Sequence, residues 1–257
     1  LSEAYGISEF PETGAEYTVK ATLLKDRVTL TVDTSGAGLH KRGYRVKDVA
    51  APIKETLAAA MVQLSFWREG RILVDPCCGS GTIPIEAALI GRNIAPGLNR
   101  SFACEGWEFI DKNLWKEEKR AAFQAIRYDQ ELDITGMDID PKAVSAAKHN
   151  AEEAGVEDCL RFERADAAKL HVEGQNGILI TNPPYGERIG EEKEIRKIYG
   201  GLGKFLKANP DWSLFLVTTD KEAEEKILQR KADRRRKLYN GRLEVCYYQF
   251  HGQKPGK

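Results

Sequence analysis

The chain has 257 residues, of which 42% are hydrophobic, and its 39 basic and 39 acidic residues give a formal net charge of zero. This length suits one large α/β domain with a small appendage. No apolar run approaches the roughly 18 residues of a membrane helix, and no leader-like segment opens the chain. We therefore expect a cytoplasmic protein without a membrane partner. Since the chain as a whole is not basic, any attraction to nucleic acid must come from local patches.

The five cysteines are an adjacent pair, Cys77 and Cys78, and three scattered residues. They offer neither a disulfide framework nor the CxxC spacing of a zinc site, so we expect free thiols and no metal. The chain begins with Leu1 instead of Met, which favours a piece of a longer protein. No pattern indicates an oligomeric state.

The first 46 residues predict a small piece outside the main fold. Residues 17–33 show two alternating apolar segments separated by a turn near Lys25 and Asp26, which is the pattern of a β-hairpin. The Gly-rich stretch that follows includes GLHKRGYR and indicates a basic linker. We therefore assign an N-terminal hairpin and linker to residues 1–46 and the main domain to residues 47–257.

Helices alternate with short apolar strands throughout the main domain. Pro52 is expected to open an amphipathic helix. The long interval 91–131 is expected to be an insertion with a helix of its own, and Trp107 and Tyr128 are expected in the core. Strands are expected at 71–75, 133–138, 159–163, 177–181 and 212–218, and helices at IPIEAALIG and PKAVSAAKHNAEEAG. The segment LYNGRLEVCYYQF predicts a terminal β-hairpin, which follows the basic run 230–237. The alternation predicts an α/β fold with an open, doubly wound, Rossmann-like sheet.

The turn after the first of these strands reads DPCCGSGT and occupies the place where open α/β sheets bind ligands. A Gly-x-Gly turn alone is weak evidence, because many turns carry glycines for steric reasons. The turn lacks the lysine of a P-loop and the third glycine of the dinucleotide fingerprint, which disfavours polyphosphate ligands. S-adenosylmethionine fits better, since Asp75 can hold its methionine ammonium and Asp138, after the next strand, can accept both ribose hydroxyls.

Two further residues fit the same ligand. Ile139 offers an apolar surface for the adenine, and Asp166 can accept the adenine amino group. Structural roles stay open for both, because Ile139 could be core and Asp166 could cap the turn that follows it. The complete set of candidate cofactor-binding residues is Asp75, Cys77, Gly79, Ser80, Gly81, Thr82, Asp138, Ile139, Asp166, Ala167 and Asn182.

The tetrapeptide Asn182-Pro183-Pro184-Tyr185, directly after the strand GILIT, is the most specific pattern of the chain. Two prolines could simply form a rigid turn, but the position behind a Gly-rich loop favours catalysis. An exocyclic amine is a poor nucleophile, so the Asn182 side-chain oxygen and the Pro183 carbonyl would hold it in line with the methyl group. Tyr185 would stack on a base that has left its helix. This chemistry needs neither a strong base nor a metal.

With these residues in place, the chain resembles the THUMP-associated RNA guanine N2-methyltransferases, in particular those that act on large-subunit ribosomal RNA. The resemblance is carried by GLHKRGYR, APIKETLAAAMV, DPCCGSGTIPIEAA, GMDIDPKAVSAAKHNAEEAG, NPPYGER and KLYNGRLE. It implies a class I methyltransferase fold, S-adenosyl-L-methionine as the cofactor and a guanine of 23S ribosomal RNA as the target. It also implies that residues 1–46 hold the remnant of a THUMP domain. The tRNA members of the family often carry Asp where this chain has Asn182, which favours the ribosomal branch.

Basic residues supply the candidate RNA contacts, because phosphate contacts are the usual source of nucleic-acid affinity, although a charge run can equally be a solvated face. The candidates are Lys41, Arg42, Arg45, Arg188, Arg234, Arg235 and Arg236. Two other functions stay open. The same loop would suit the planar NH2 group of tRNA guanine, DNA adenine or protein glutamine, although a DNA enzyme would need a target-recognition domain and none is visible. A non-catalytic RNA-binding module would be expected to lose Asp75 or Asn182.

Overall fold

A computed structural model describes residues 2–6, 13–47, 53–185 and 191–253. The expected helix start at Pro52 and the candidate RNA contact Arg188 lie outside the described residues. The helices are α1 (Ser2–Tyr5), α2 (Glu55–Leu64), α3 (Thr82–Gly91), α4 (Lys112–Gln124), α5 (Pro141–Ala154), α6 (Glu191–Ala208) and α7 (Ala223–Leu228). The strands are β1 (Thr18–Leu24), β2 (Arg27–Asp33), β3 (Leu73–Asp75), β4 (Ile134–Asp138), β5 (Leu160–Arg164), β6 (Ile178–Thr181), β7 (Ser213–Thr218), β8 (Arg234–Asn240) and β9 (Leu243–Phe250).

Seven strands form one sheet in the order β5-β4-β3-β6-β7-β9-β8. The five strands from β5 to β7 are parallel, whereas β9 pairs antiparallel with both β7 and β8. Helices cover both faces, so the central strands are buried on both sides and consist of continuous apolar runs, as in β7, where all six residues are buried. The expected Rossmann-like sheet with a terminal hairpin is therefore confirmed.

Two features of this sheet differ from the expectation. The basic run was expected to precede the terminal hairpin, but Arg234–Asn240 itself forms β8. Charged residues are tolerated there because β8 is an edge strand with exposed side chains, and charge on an edge strand also opposes unwanted pairing with other chains. The 18-residue helix α6, which the sequence patterns do not predict, packs its apolar residues against the face of the sheet opposite α2.

The N-terminal hairpin is confirmed as an antiparallel pair of β1 and β2, and its turn residues Lys25 and Asp26 both have positive φ angles, 50° and 58°. At its base, Tyr17 stacks on Trp107 with ring centroids 5.1 Å apart, and Trp107 is buried as expected. The insertion has its own helix, α4, also as expected. The core position of Tyr128 was wrong: the residue is 63% exposed, because the loop after α4 runs over the surface.

The stretch expected to be a linker is packed onto the main domain. Tyr44 is only 3% exposed, and its hydroxyl donates to Glu86 Oε1 at 2.8 Å. Arg42 Nε donates to the same oxygen at 2.9 Å. Burial raises the pKa of Glu86, and the Arg42 charge opposes that rise. The division of the chain at residue 46 stays a prediction, but residues 42–47 pack against α3 and α5.

Removal of this buried partner is expected to destabilise the fold. Arg42→Ala leaves the buried Glu86 carboxylate with the Tyr44 hydroxyl but without its cationic partner, which costs about 3–5 kcal/mol in the free energy of unfolding. Lys41→Ala, at the adjacent exposed position, is the matched control and is expected to stay within about 0.5 kcal/mol of wild type. Urea unfolding followed by circular dichroism measures both variants, and equal stability of the two would contradict the structural role of Arg42.

No helix in the described part of the chain is long and apolar enough to cross a lipid bilayer.

Candidate functional site

The carboxyl ends of three neighbouring parallel strands meet at one edge of the sheet. Strand β3 ends at Asp75, β4 ends at Asp138, and Asn182 directly follows β6. Strand β3 lies between β4 and β6 in the sheet. The fold therefore brings the Gly-rich loop, the expected ribose-binding acid and the expected catalytic loop to the same edge, where ligands bind in open α/β sheets.

Backbone hydrogen bonds hold the Gly-rich loop between β3 and α3. Cys77 N donates to Asp75 Oδ1 at 3.1 Å, Cys78 N donates to the Met137 carbonyl at 2.8 Å, and Gly79 N donates to Asp138 Oδ2 at 3.0 Å. The loop is thus fastened to both strand ends that carry the two acids. The side chains of Ser80 and Thr82 are buried, so these two residues shape the loop from within the fold.

Gly81 allows the loop to pass close to α5. Its φ angle is +84°, and a Cβ atom at this position would lie 2.9 Å from Ala147 Cβ and 3.2 Å from Ala147 Cα. Because Ala147 lies within the packed helix α5, its atoms cannot move away without displacing the helix. Glycine is therefore required at residue 81 both by its conformation and by the lack of space.

Gly81→Ala is expected to lower the free energy of unfolding by more than the strain of the left-handed backbone conformation alone. Strain of this kind costs about 1–2 kcal/mol, and the collision with α5 adds a further cost of about 1–3 kcal/mol from overpacking. Gly155→Ala is the matched control, since Gly155 has a φ of +67° but no atom within 4 Å of the position of its Cβ. Thermal unfolding of both variants separates the two costs, and equal losses of stability would disprove the close approach.

Asp75 is a buried carboxyl without a basic partner in the described part of the chain. It is 1% exposed, and burial raises its pKa to about 7, with a smaller contribution from the nearby charge of Asp138. The buried side chain of Thr181 faces Asp75 and, with the Cys77 amide, opposes part of this rise. Sequence reasoning missed Thr181, because a threonine at the end of an apolar strand carries no distinctive signal. A ligand ammonium beside Asp75 would favour its ionised form, which fits the methionine end of S-adenosylmethionine.

Asp138 is half-buried and accepts two backbone hydrogen bonds. Its Oδ2 accepts from Gly79 N at 3.0 Å and its Oδ1 from Asp140 N at 2.9 Å. Each carboxylate oxygen has a second lone pair, so both oxygens can still accept a ribose hydroxyl. Ile139 is 60% exposed beside it, which excludes the core alternative and leaves an apolar surface suited to an adenine.

Asp166 caps the short helical turn that follows it. Its Oδ1 accepts from Ala168 N at 2.9 Å, so the structural alternative for this residue is present. The cap engages one carboxylate oxygen and leaves the other for the adenine amino group, so the ligand role stays a prediction. Ala167 is buried within the same turn.

In the expected catalytic loop, Asn182 and Tyr185 are hydrogen-bonded to each other. The Tyr185 hydroxyl donates to Asn182 Oδ1 at 2.6 Å. Pro183 is buried and Pro184 exposed, while the half-buried Tyr185 ring packs against the apolar cluster beneath α2. The Asn182 oxygen expected to receive a target amine is therefore engaged by Tyr185, and a target that uses it must replace this bond.

Two of the basic candidates point into the fold. Arg45 donates to Thr82 Oγ1 at 3.0 Å and lies 3.5 Å from Glu55 Oε2, and the side chains of Arg45 and Arg42 are each only 11% exposed. Their expected RNA role is corrected to a structural one, since both arginines compensate buried acids next to the Gly-rich loop. Sequence reasoning missed Glu55 and Glu86 because each lies within an apolar helix pattern.

The other basic candidates lie nearer to solvent. Lys41 and Arg234 are exposed and Arg236 is half-buried. Arg235 forms a bidentate pair with Glu224, so part of its charge is compensated within the protein. Among the described residues, no group of three or more His, Cys, Asp and Glu side chains is arranged to hold a metal ion.

Curated relatives of the chain carry RNA methyltransferase names. The chain is 49% identical over 239 residues to "Putative RNA methyltransferase YpsC" of Bacillus subtilis (strain 168), which covers 93% of this chain and 62% of that protein. It is 42% identical over 247 residues to ribosomal RNA large subunit methyltransferase K/L of Shewanella baltica (strain OS185), which covers 92% of this chain and 34% of that protein.

Two solved structures share the fold at similar identity. The structure of SMU.472 complexed with SAH has a TM-score of 0.89 and 45% identity, and the match covers 96% of this chain and 64% of that one. A protein of Listeria monocytogenes str. 4b F2365, named as a predicted N6-adenine-specific DNA methylase, has a TM-score of 0.90 and 46% identity, with 98% of this chain and 65% of that one covered. The chain spans less than two thirds of the length of each of these four relatives. Residues 42–249 match the family described as RMKL-like, methyltransferase domain, and the chain therefore belongs to this family.

Proposed function

We propose that the chain is the catalytic domain of an S-adenosylmethionine-dependent RNA methyltransferase, and that its target is the N2 amino group of a guanine in 23S ribosomal RNA. The observation that carries this proposal is the adjacency of Asp75 and Asn182. Asp75 is the last residue of β3, and Asn182 directly follows β6. These two strands are neighbours, and both residues lie at the ligand-binding edge of the sheet. A buried acid suited to a cationic cofactor thus lies beside a loop suited to a planar amine.

The residues around the Gly-rich loop fit S-adenosylmethionine group by group. Asp75 would hold the methionine ammonium, Asp138 would accept the ribose hydroxyls, and the exposed Ile139 would support the adenine. Once bound, this cofactor supplies a methyl group on a positively charged sulfur. The cofactor found with the related SMU.472 is SAH, the demethylated form, which supports the same assignment.

The catalytic loop would hold and orient the target amine. Asn182 Oδ1 and the Pro183 carbonyl would each accept one N–H of the amine, which turns its nitrogen lone pair toward the methyl group. The nitrogen gains a positive charge when it is methylated, and it can then release a proton to water, so no strong base is required. For this arrangement the Tyr185 hydroxyl must leave Asn182 Oδ1, and the same movement would allow its ring to stack on the base.

The RNA target is supported by the relatives and by the family resemblance. One curated relative is named for the large ribosomal subunit and another as an RNA methyltransferase. Lys41, Arg234 and Arg236 would contribute phosphate contacts from the protein surface. A protein with this substrate would work in the cytoplasm, where ribosomes are assembled in bacteria.

One alternative function has a specific observation in its favour. The Listeria structure is named as an N6-adenine-specific DNA methylase, and the Asn182 loop would accept an adenine amino group as readily as a guanine one. Transfer RNA guanine and protein glutamine present the same planar NH2 group. All of these targets suit the same two acceptors of the loop, and the substrate that takes up the methyl label separates them.

A substrate panel tests the proposal. The protein is incubated with methyl-labelled S-adenosylmethionine and, separately, with undermethylated 23S ribosomal RNA, transfer RNA, duplex DNA and a release factor. We expect label in the ribosomal RNA, and nucleoside digestion should identify it as N2-methylguanosine. Label found only in DNA or protein would refute the RNA assignment, and label at another atom of the RNA would refute the N2 assignment.

A further inference from the structure

We infer that the tip of the β8–β9 hairpin, residues Tyr239–Leu243, is an RNA-binding surface beside the catalytic loop. This inference rests on the proposed function and adds to it the place where the RNA strand flanking the target nucleotide would lie. The hairpin tip was assigned no role by the sequence patterns, which pointed to the basic run that precedes it.

Strand register places the hairpin tip beyond the level of the catalytic loop. Thr181, at the end of β6, is paired with Leu216 of β7, so Asn182 is level with Val217. Strand β7 ends one residue later at Thr218, which pairs with Cys246 of β9. The hairpin continues for three more residue pairs, from Leu238–Val245 to Asn240–Leu243.

This continuation makes the hairpin project from the ligand-binding edge. Three residue pairs at about 3.3 Å per residue extend about 10 Å past the end of β7. Because β9 runs antiparallel to β7, the turn between β8 and β9 lies at the same edge as Asp75, Asp138 and Asn182. Strands β7 and β9 follow β6 in the sheet, away from β3 and β4, so the hairpin tip lies on the side of the catalytic loop opposite the cofactor residues.

The hairpin tip is fixed to the fold at its base. Val245 is 2% exposed in the core, and Leu238 packs against the same apolar cluster. Lys54 N, at the start of α2, donates to Asn240 Oδ1 at 3.3 Å. Gly241 has a φ of +68°, which permits the tight turn. A surface held in this way can bind a ligand without first becoming ordered.

The side chains of the hairpin tip have the chemistry of a single-stranded RNA contact. Tyr239 is 55% exposed and Leu243 is 38% exposed. Lys237 Nζ lies 5.5 Å from the centroid of the Tyr239 ring, and the exposed part of the ring is open to base stacking. Arg242 is exposed and, within the described residues, forms no ion pair. The nearby acid Glu244 pairs with Lys237 at 2.6 Å, so its charge is compensated. With Lys54 beside the turn, the surface carries excess positive charge that suits phosphates.

The basic run is less well placed for the same purpose. Arg234 pairs with Gln249, which in turn pairs with Phe215, so it is level with Ile180, before the catalytic loop begins. Arg235 is held by Glu224. The contacts nearest to the target nucleotide would therefore come from the hairpin tip, and the run would contact more distant phosphates.

Two substitutions test the inference on the full chain. Arg242→Ala is expected to raise the Kd for a 23S ribosomal RNA fragment severalfold and to lower the slope of log Kd against log salt concentration by about one. Tyr239→Ala is expected to raise the Kd about tenfold, whereas Tyr239→Phe, which keeps the ring, stays near wild type. Fluorescence anisotropy of labelled RNA measures these values, and isothermal titration should show unchanged affinity for S-adenosylmethionine.

Arg161→Ala is the control for the loss of an exposed arginine. Arg161 pairs with Asp133 and lies on β5, the outermost strand on the side of the sheet away from β8. This variant is expected to bind RNA like wild type. If wild type methylates RNA and the hairpin-tip variants bind that RNA unchanged, the inference is overturned while the proposed function stands. If wild type labels only DNA or protein, both fail. Binding of a protein but not of RNA by this surface would also overturn it.

Discussion

Asn182→Ala is expected to lower kcat for methyl transfer by at least about 100-fold, a loss comparable to removal of one preorganised hydrogen-bonding group from an active site. The affinity for S-adenosylmethionine should change little, because Asp75 and the Gly-rich loop stay intact. The physical reason is that Asn182 Oδ1 orients the amine and favours the positive charge that develops on its nitrogen. Steady-state kinetics with labelled cofactor and saturating RNA measure kcat, and titration calorimetry measures cofactor binding.

Three further variants separate the groups of this loop. Asn182→Asp keeps an acceptor oxygen and is expected to retain more activity than Asn182→Ala. Tyr185→Phe removes the hydroxyl that engages Asn182 Oδ1 at 2.6 Å but keeps the ring, so most activity should remain. Tyr185→Ala removes the stacking surface and should lose activity. Full turnover by Asn182→Ala would refute the role of the amide, and equal activity of the two Tyr185 variants would refute stacking.

The parts of the site that could be predicted from sequence are those that lie close together in the chain. Asp75 and the glycines that follow it belong to one turn, and the strand before them is a short apolar run, so both the turn and its position were recognisable. The alternation of elements predicts an open parallel sheet, whereas the order of its strands is known only from the structure. That order places the Asn182 loop beside Asp75.

The partners of charged side chains could not be predicted, because they depend on contacts between distant segments. Arg42 lies in a Gly-rich stretch that indicates solvent exposure, but its partner Glu86 is 44 residues further along. The basic run was expected to be a connection because four consecutive charged residues, 234–237, hide the alternation of a strand. Only the pairing with β9 makes it strand β8, and only that pairing shows how far the hairpin projects.

Asp75→Asn is expected to weaken cofactor binding and to stabilise the free protein. The ordinary pKa of an Asp carboxyl, 3.8, is raised to about 7 in the fold, mainly by burial. Well below pH 4 the carboxyl is protonated in both the folded and unfolded states, so it does not change the free energy of unfolding. As the pH rises from 4 to 7, only the unfolded state loses the proton and the wild-type protein loses stability, up to about 4 kcal/mol above pH 7. The Asp75→Asn protein avoids this loss, so its advantage in urea unfolding should grow over that range and then level off.

Cofactor binding should depend on pH in the opposite direction. The ammonium of S-adenosylmethionine favours ionised Asp75, so the wild-type Kd should fall as the pH rises toward 7, by at most about tenfold per pH unit, and level off above it. Asp75→Asn should bind more weakly at pH 7.5 and show little of this dependence. Asp129→Asn, at an exposed position, controls for the loss of one negative charge. A wild-type Kd that does not change between pH 5.5 and 7.5 would show that Asp75 does not hold the ammonium. If the stability difference between the wild type and Asp75→Asn does not change with pH, Asp75 is already ionised in the free protein.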